Sequence, residues 1–334
     1  MIKGFVIGKF LPFHLGHEAL IEYAKDNCDH LTIIVGAMPD EPIPYKYRLK
    51  WVLSTYLDDP KVDVFGDIAK PPIFSSDKLK SQWWGKHCLN HFGKFDRVFS
   101  SENYGVEFAK SMNAENWVFN KARTIIPVSG TLIRSKPLTC WGYLNNFAKD
   151  YFVKKIAIVG TETTGKTTMA QQLAEHYDTV WCPELGRELI PNTKECTIED
   201  LKLVGVEHAK HIIKYTRLSN KLLFIDTDLN ITKSYSEFLF NEIPEYPIWV
   251  EKANEMHLYI YLMADAPYVN DGTRLSKKER NELDKYHWKN ICLPKNNMHC
   301  IWFANDCNEK NNKNIYKLRF ENVIQHIDEF IKQY

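Results

Sequence analysis

Two stretches of the chain repeat one order of polarity: a lysine-led apolar run, a glycine-containing turn, then an amphipathic helical pattern. The first run covers 3–7 and turns through 8–17; the second covers 154–159 and turns through 160–168. Short unbroken apolar runs are the pattern of parallel strands buried on both faces, so each stretch predicts the opening strand, loop and helix of an α/β domain. Further strands are predicted at 31–35, 62–65, 97–99, 179–181, 222–225 and 258–262. Between them, 45–57 predicts a helix that turns Leu49, Val52, Leu53 and Tyr56 to one face. The alternation predicts two doubly wound α/β domains, over 1–146 and 153–334. The join falls in the stretch 135–151, where Pro137, Gly142 and Asn145-Asn146 predict a short linker, partly helical. The tail 311–334 reads as a closing helix.

Length agrees with that division, because 334 residues at about 150 per domain is two domains. A composition 44% hydrophobic and 25% charged excludes a disordered, collagen-like or disulfide-scaffold chain. With 43 basic residues against 42 acidic ones, the net charge is +1. No field attracts nucleic acid, and any nucleotide must be held by a local site. The eight cysteines are scattered without zinc-ligand spacing, which predicts reduced, mostly structural thiols. No run of 18 apolar residues and no signal-peptide profile are present, so a cytoplasmic protein without a membrane partner is expected.

The first turn, Gly8-Lys9-Phe10-Leu11-Pro12-Phe13-His14-Leu15-Gly16-His17, fits G-x-F-x-P-x-H-x-G-H. A turn that opens into a helix N-terminus favours an anion through free backbone amides and the helix dipole. His14 and His17 add side-chain donors, and Gly16 lets the backbone approach. An isolated H-x-x-H is more often incidental or half of a metal site; here all six positions fit behind a strand and no third ligand sits nearby. Ser129-Gly130-Thr131-Leu132-Ile133-Arg134 offers hydroxyls at a helix start and a guanidinium one turn on. Alone it is a helix cap with a surface arginine; beside the first motif it predicts the far side of a triphosphate clamp.

The second turn, Gly160-Thr161-Glu162-Thr163-Thr164-Gly165-Lys166-Thr167, is a full G-x-x-x-x-G-K-[ST] loop with a strand before and a helix after. Its amides would cradle phosphates with Gly160, Thr163, Thr164, Gly165 and Thr168, while Lys166 neutralises oxygens and Thr167 offers its hydroxyl to Mg²⁺. Asp226, ending an apolar strand, is a magnesium-shell candidate, although a helix cap is the ordinary role of such a residue. Glu184 in Pro183-Glu184-Leu185-Gly186-Arg187-Glu188 is a candidate base for an acceptor hydroxyl, or else a surface charge. Tyr268-Val269-Asn270-Asp271-Gly272-Thr273-Arg274 reads as a lid carrying Arg274 over the phosphates, or as the start of a solvated charged segment.

In combination these motifs resemble the NadR-type bifunctional enzymes over 4–289. Tyr47-Arg48-Leu49-Lys50-Trp51, Gln82-Trp83-Trp84 and Val98-Phe99-Ser100-Ser101-Glu102 add to the likeness. The resemblance implies an N-terminal Rossmann-like nucleotidyltransferase domain and a C-terminal P-loop kinase domain with a parallel sheet. It implies that ATP and nicotinamide riboside give nicotinamide mononucleotide at the second site, and that ATP and the mononucleotide give NAD at the first. His14, His17 and Arg134, with Gly8, Lys9, Phe10, Gly16, Ser129 and Thr131, would hold the first nucleotide. Trp83 or Trp84 would stack on the pyridinium ring unless it is a core aromatic, and Arg187, Asp228, Tyr268 or Asp271 would contact the riboside. Some members begin with a helix-turn-helix repressor domain; this chain opens on the transferase strand, so no DNA-binding role is expected. A nucleotide sensor with one inactive half, or the same reactions on another acceptor, are the alternatives. Association into a homo-oligomer is left open.

Overall fold

A computed structural model describes residues 1–190, 195–264, 275–292, 297–301 and 312–334. The backbone divides into two compact units, Met1–Tyr151 with the terminal Tyr334, and Phe152–Gln333.

In the first unit five parallel strands form one sheet: β1 (Lys3–Gly8), β2 (His30–Ala37), β3 (Val62–Ile68), β4 (Arg97–Ser100) and β5 (Glu115–Val118), in the order β3-β2-β1-β4-β5. β2 is buried from Leu31 to Ala37, as a strand sandwiched between helical layers requires. Phe5 anchors the core, its ring 4.7 Å from Phe95 and stacked 6.0 Å from Phe108. The order steps outward in both directions from β1, so the turn after β1 lies at the switch point where parallel sheets bind ligands.

The second unit repeats the plan with β6 (Lys154–Val159), β7 (Val180–Cys182), β8 (Leu222–Asp226), β9 (Leu258–Leu262) and β10 (Met298–Ile301), ordered β10-β9-β6-β8-β7 and all parallel. β8 and β9 are buried at every position. The helix Ile198–Leu218 starts with a capping box between Thr197 and Asp200, and the helix Lys277–His287 starts with one between Ser276 and Glu279. The closing helix Asn312–Ile331 sends the buried Arg319 to the carbonyl of Thr164 at 2.8 Å, tying the tail to the glycine-rich loop.

The fold is the expected two-sheet α/β architecture, and the apolar runs mark the strands that the sequence predicts. Three details differ. The edge strands β5 and β10 are additional; each has four residues, and Glu115-Asn116-Trp117-Val118 carries no apolar run. The helix Tyr45–Tyr56 buries Arg48, Trp51, Val52 and Tyr56, whereas Leu53 is exposed and Leu49 half-buried. Its apolar stripe is rotated because the Arg48 guanidinium pairs with the Glu41 carboxylate at 2.6 Å and donates to the carbonyls of Ile43, Lys9 and Gly36, which together offset the cost of burying its charge. The stretch predicted as linker is built into the first unit. Asn145 donates to Glu18 at 2.9 Å and to Thr55 at 3.1 Å, and the Tyr151 ring lies 5.1 Å from that of Tyr47.

The two motif segments of the first unit meet through backbone. A Cβ built on Gly130 would stand 2.5 Å from the Leu11 carbonyl oxygen, which is backbone and cannot rotate away. Gly130→Ala is therefore expected to destabilise the first unit by about 1–3 kcal/mol, the usual cost of overpacking. Denaturant midpoints followed by fluorescence check this; an unchanged midpoint contradicts the close approach.

Candidate active sites

In the first unit β1 ends at Gly8 and the chain turns through Phe10, whose φ is 48°, and a cis Leu11–Pro12 peptide before the helix Leu15–Asp26. Phe10 and Phe13 are buried and pack edge-on at 5.5 Å, with the His17 ring 5.0 Å from Phe10. The aromatic pair thus fixes the turn from beneath. His14 stands at the helix N-cap, its carbonyl accepting from the amides of His17 and Glu18, and its ring stacks on His17 at 3.7 Å. Neither Nδ1 atom has a hydrogen-bond partner.

One cavity of about 1080 Å³ collects these residues. Gly8, Lys9, Phe10, His14, Gly16 and His17 line one side, and Ser129, Thr131 and Arg134 line it too. Arg134 donates to the Leu11 carbonyl and, at 3.3 Å, to Thr131 Oγ1; the Ser129 hydroxyl caps its helix by accepting from the Leu132 amide at 3.2 Å. Of the two tryptophans, Trp84 lines the cavity, while Trp83 lies face-to-face with His87 at 5.0 Å and is not among the lining residues. Sequence reasoning missed Lys80, Lys121 and Arg123, which also line the space. A signal existed in Asn120-Lys121-Ala122-Arg123 after β5, where Asn120 and Arg123 both take positive φ.

Burial, reinforced by the Arg123 guanidinium, pushes His14 down to about 4 against a weaker opposing backbone hydrogen bond. Burial, then His14 and Arg123, hold His17 well below its ordinary value. Both rings are therefore neutral at pH 7, donors without a charge of their own, in a wall whose cations are arginine and lysine.

In the second unit the loop follows β6. Gly160 has φ 136° and a Cβ there would collide with the Leu262 carbonyl oxygen, so only glycine fits; Gly165 and Thr163 are also left-handed, at 87° and 61°. Thr164 Oγ1 and Lys166 Nζ both donate to the Thr161 carbonyl, at 2.9 and 3.0 Å, which closes the loop on itself. Thr167 Oγ1 donates to Asp226 Oδ2 at 2.5 Å, and Asp226 is fully buried at the end of β8. A hydroxyl beside a carboxylate is a hard oxygen donor pair suited to Mg²⁺. Thr168 is exposed in the first turn of the helix Lys166–His176.

Beside the loop is a smaller cavity of about 170 Å³, lined by Gly160, Glu162, Lys166, Glu184, His208 and Tyr235 among others. Glu184 and Lys166 thus line the same cavity. Asp228, a candidate substrate contact, caps a helix: it is fully buried, accepts from the amides of Asn230 and Ile231 at 3.1 and 3.2 Å, and receives the Tyr259 hydroxyl at 3.1 Å. The roles weighed for the strand end are divided, with Asp226 facing the loop and Asp228 capping. Tyr268, Asp271 and Arg274 lie outside the described residues, and of Arg187 the backbone alone is described. Sequence reasoning missed Tyr235, which donates to Glu162 at 3.0 Å, and His208, buried and pushed down to about 4 by burial and by His211.

Comparison with known proteins narrows the chemistry. A family model described as an AAA domain matches residues 155–299. The trifunctional NAD biosynthesis/regulator protein NadR of Escherichia coli (strain K12) is 28% identical over 314 residues, which cover 87% of this chain and 75% of that protein. The chain is similar to NadR along most of its length. Two crystal structures of NadR proteins share the fold: one in complex with NR has a TM-score of 0.78 at 17% identity over 98% of this chain and 96% of its own. The other, with NAD and AMP-PNP, has a TM-score of 0.77 at 18% identity over 99% and 96%. The NadR likeness thus extends across both units.

A polyanion in the first cavity would favour imidazolium, raising the depressed pKa values of His14 and His17 toward or above 6.5. Binding of a nucleoside triphosphate there should then take up protons near about pH 5.5 and almost none near about pH 8. Calorimetry in buffers of different ionisation enthalpy, with Lys166→Ala silencing the second site, reads the uptake as a buffer-dependent heat. His14→Gln should reduce it; a buffer-independent heat at the lower pH contradicts the assignment.

Proposed function

We propose that the protein makes NAD in two ATP-dependent steps, the second unit phosphorylating nicotinamide riboside and the first adenylylating the resulting mononucleotide. The observation that carries this reading is the presence of two phosphate-binding turns, each at the carboxyl end of a central parallel strand and each beside its own cavity. The likeness to NadR over 87% of the chain supports the choice of substrates.

In the second unit the riboside 5′-hydroxyl attacks the γ-phosphorus of ATP, and ADP leaves. Lys166 stabilises the charge that spreads over the transferred group, and Glu184, on the same cavity, receives the hydroxyl proton. Thr167 and Asp226 would hold Mg²⁺, which when bound neutralises charge on the β- and γ-oxygens.

In the first unit a phosphate oxygen of the mononucleotide attacks the α-phosphorus of ATP, and pyrophosphate leaves. No side chain forms a covalent bond; His14, His17, Lys9 and Arg134 hold the triphosphate and stabilise charge as it moves to the leaving group. Trp84, which lines the first cavity, is the candidate to stack on the pyridinium ring. Small substrates held by local donors suit a chain of net charge +1, and a cytoplasmic location suits its use of ATP.

Purified protein supplied with Mg²⁺, ATP and either the riboside or the mononucleotide tests the division. Lys166→Ala should lower use of the riboside by about 10²-fold or more and leave mononucleotide-to-NAD conversion intact. His17→Ala should do the reverse and let the mononucleotide accumulate. Failure of the unmutated protein to form NAD from either substrate refutes the reading, and inseparable losses in the two variants refute the division.

A further inference from the structure

Glu41 lies in the segment between β2 and the helix Tyr45–Tyr56, and no motif marks it. Its side chain is 8% exposed and lies between two cations. Oε2 accepts from Arg48 Nη2 at 2.6 Å and from the Met38 amide at 3.2 Å; Oε1 stands 2.8 Å from Lys9 Nζ. Burial raises the Glu41 pKa, but Lys9, the Met38 amide and Arg48 outweigh it and keep the carboxyl below its ordinary value.

The same Arg48 guanidinium, 1% exposed, donates to the carbonyls of Lys9 at 2.7 Å, Gly36 at 3.0 Å and Ile43 at 3.1 Å. It therefore clamps the turn after β1, the end of β2 and the following loop. A buried guanidinium needs a counter-charge, and Oε2 of the Glu41 carboxylate lies against it. The second oxygen is committed to Lys9, whose side chain is 49% exposed and lines the first cavity. One carboxylate between two cations leaves one positive charge, and it sits on the cation that faces the ligand space. A lysine ammonium on its four-carbon stem would otherwise sample many rotamers, so this contact places the charge before a ligand arrives.

We propose that Glu41 is a positioning residue for adenylyl transfer, fixing the Lys9 ammonium at the edge of the triphosphate cavity while Arg48 locks Glu41 to the backbone of the turn. The role rests on the reading of the first unit as an adenylyltransferase. Glu41→Gln keeps an amide oxygen that can accept from Arg48 and Met38, but it removes the charge from both Lys9 and Arg48, so its unfolding midpoint is read beside its activity.

The test is steady-state NAD formation from the mononucleotide and ATP by the full-length protein, with riboside phosphorylation in the same preparations as an internal control. Glu41→Gln should lower kcat/KM for ATP about tenfold, and Lys9→Ala should lower it at least as far. The double variant should be no slower than Lys9→Ala alone, because Glu41 acts through Lys9. Riboside phosphorylation should be unchanged in all three. Independent, multiplying losses in the double variant overturn the proposal, since a purely structural Glu41 would act with or without Lys9. If Glu41→Gln also lowers the unfolding midpoint, Lys9→Ala still decides, because it leaves the Arg48–Glu41 pair intact; a wild-type kcat/KM in that variant overturns the proposal. An unmutated protein that converts riboside but makes no NAD overturns the adenylyltransferase reading together with this role, whereas normal NAD formation unaffected by either substitution overturns the role alone.

Discussion

A parallel strand that ends in a sharp turn, with the free amides of the next helix facing that turn, is the constraint on which both units depend. The strand must be apolar and central so that its end is fixed, and the turn must bring backbone donors close without side chains in the way. The two units meet this requirement by different means. In the second, Gly160, Thr163 and Gly165 take left-handed conformations and the loop bonds to itself at Thr161. In the first, a single left-handed residue, Phe10, is held by the packing of Phe13 and His17, and the far wall is held by Arg134 on the Leu11 carbonyl.

The backbone of each turn is also held from outside it. Arg319, on the last helix, reaches the loop backbone at Thr164, and Arg48, on the second helix of the chain, reaches the turn at Lys9. Both guanidiniums are buried and both donate to carbonyls, so each stiffens a loop proposed to hold phosphates. The histidines of the first unit show the same economy in another form. Kept neutral by burial, they add donors to the cavity without adding to the repulsion among Lys9, Arg123 and Arg134.

How much of this is legible in the sequence depends on whether a residue's role shows in its neighbours along the chain. The central strands and both glycine-containing turns are legible, because apolar runs and fixed glycine spacings are local. The four-residue edge strands are not, since half-exposed segments such as Glu115–Val118 carry mixed polarity. The helical pattern of 45–57 does not place Arg48 on the buried face; the Glu41 carboxylate and the carbonyls of Lys9, Gly36 and Ile43 show why it is inside. Of Asp226 and Asp228 in Ile225-Asp226-Thr227-Asp228, the sequence singles out the first as the magnesium-shell candidate; the backbone turns it to Thr167 and the second to the helix it caps. Asn145, read as linker, is part of the first unit because its partners Glu18 and Thr55 are 127 and 90 residues away.

The central claim is that the two units perform successive and chemically different transfers, one expelling ADP and the other pyrophosphate. Phosphorus NMR of the unmutated protein with nicotinamide riboside, ATP and Mg²⁺ reads both leaving groups in one sample. The account predicts one ADP and one pyrophosphate for each NAD formed, with ADP appearing first. Pyrophosphate without ADP, or ADP with no NAD and no pyrophosphate at completion, would contradict it.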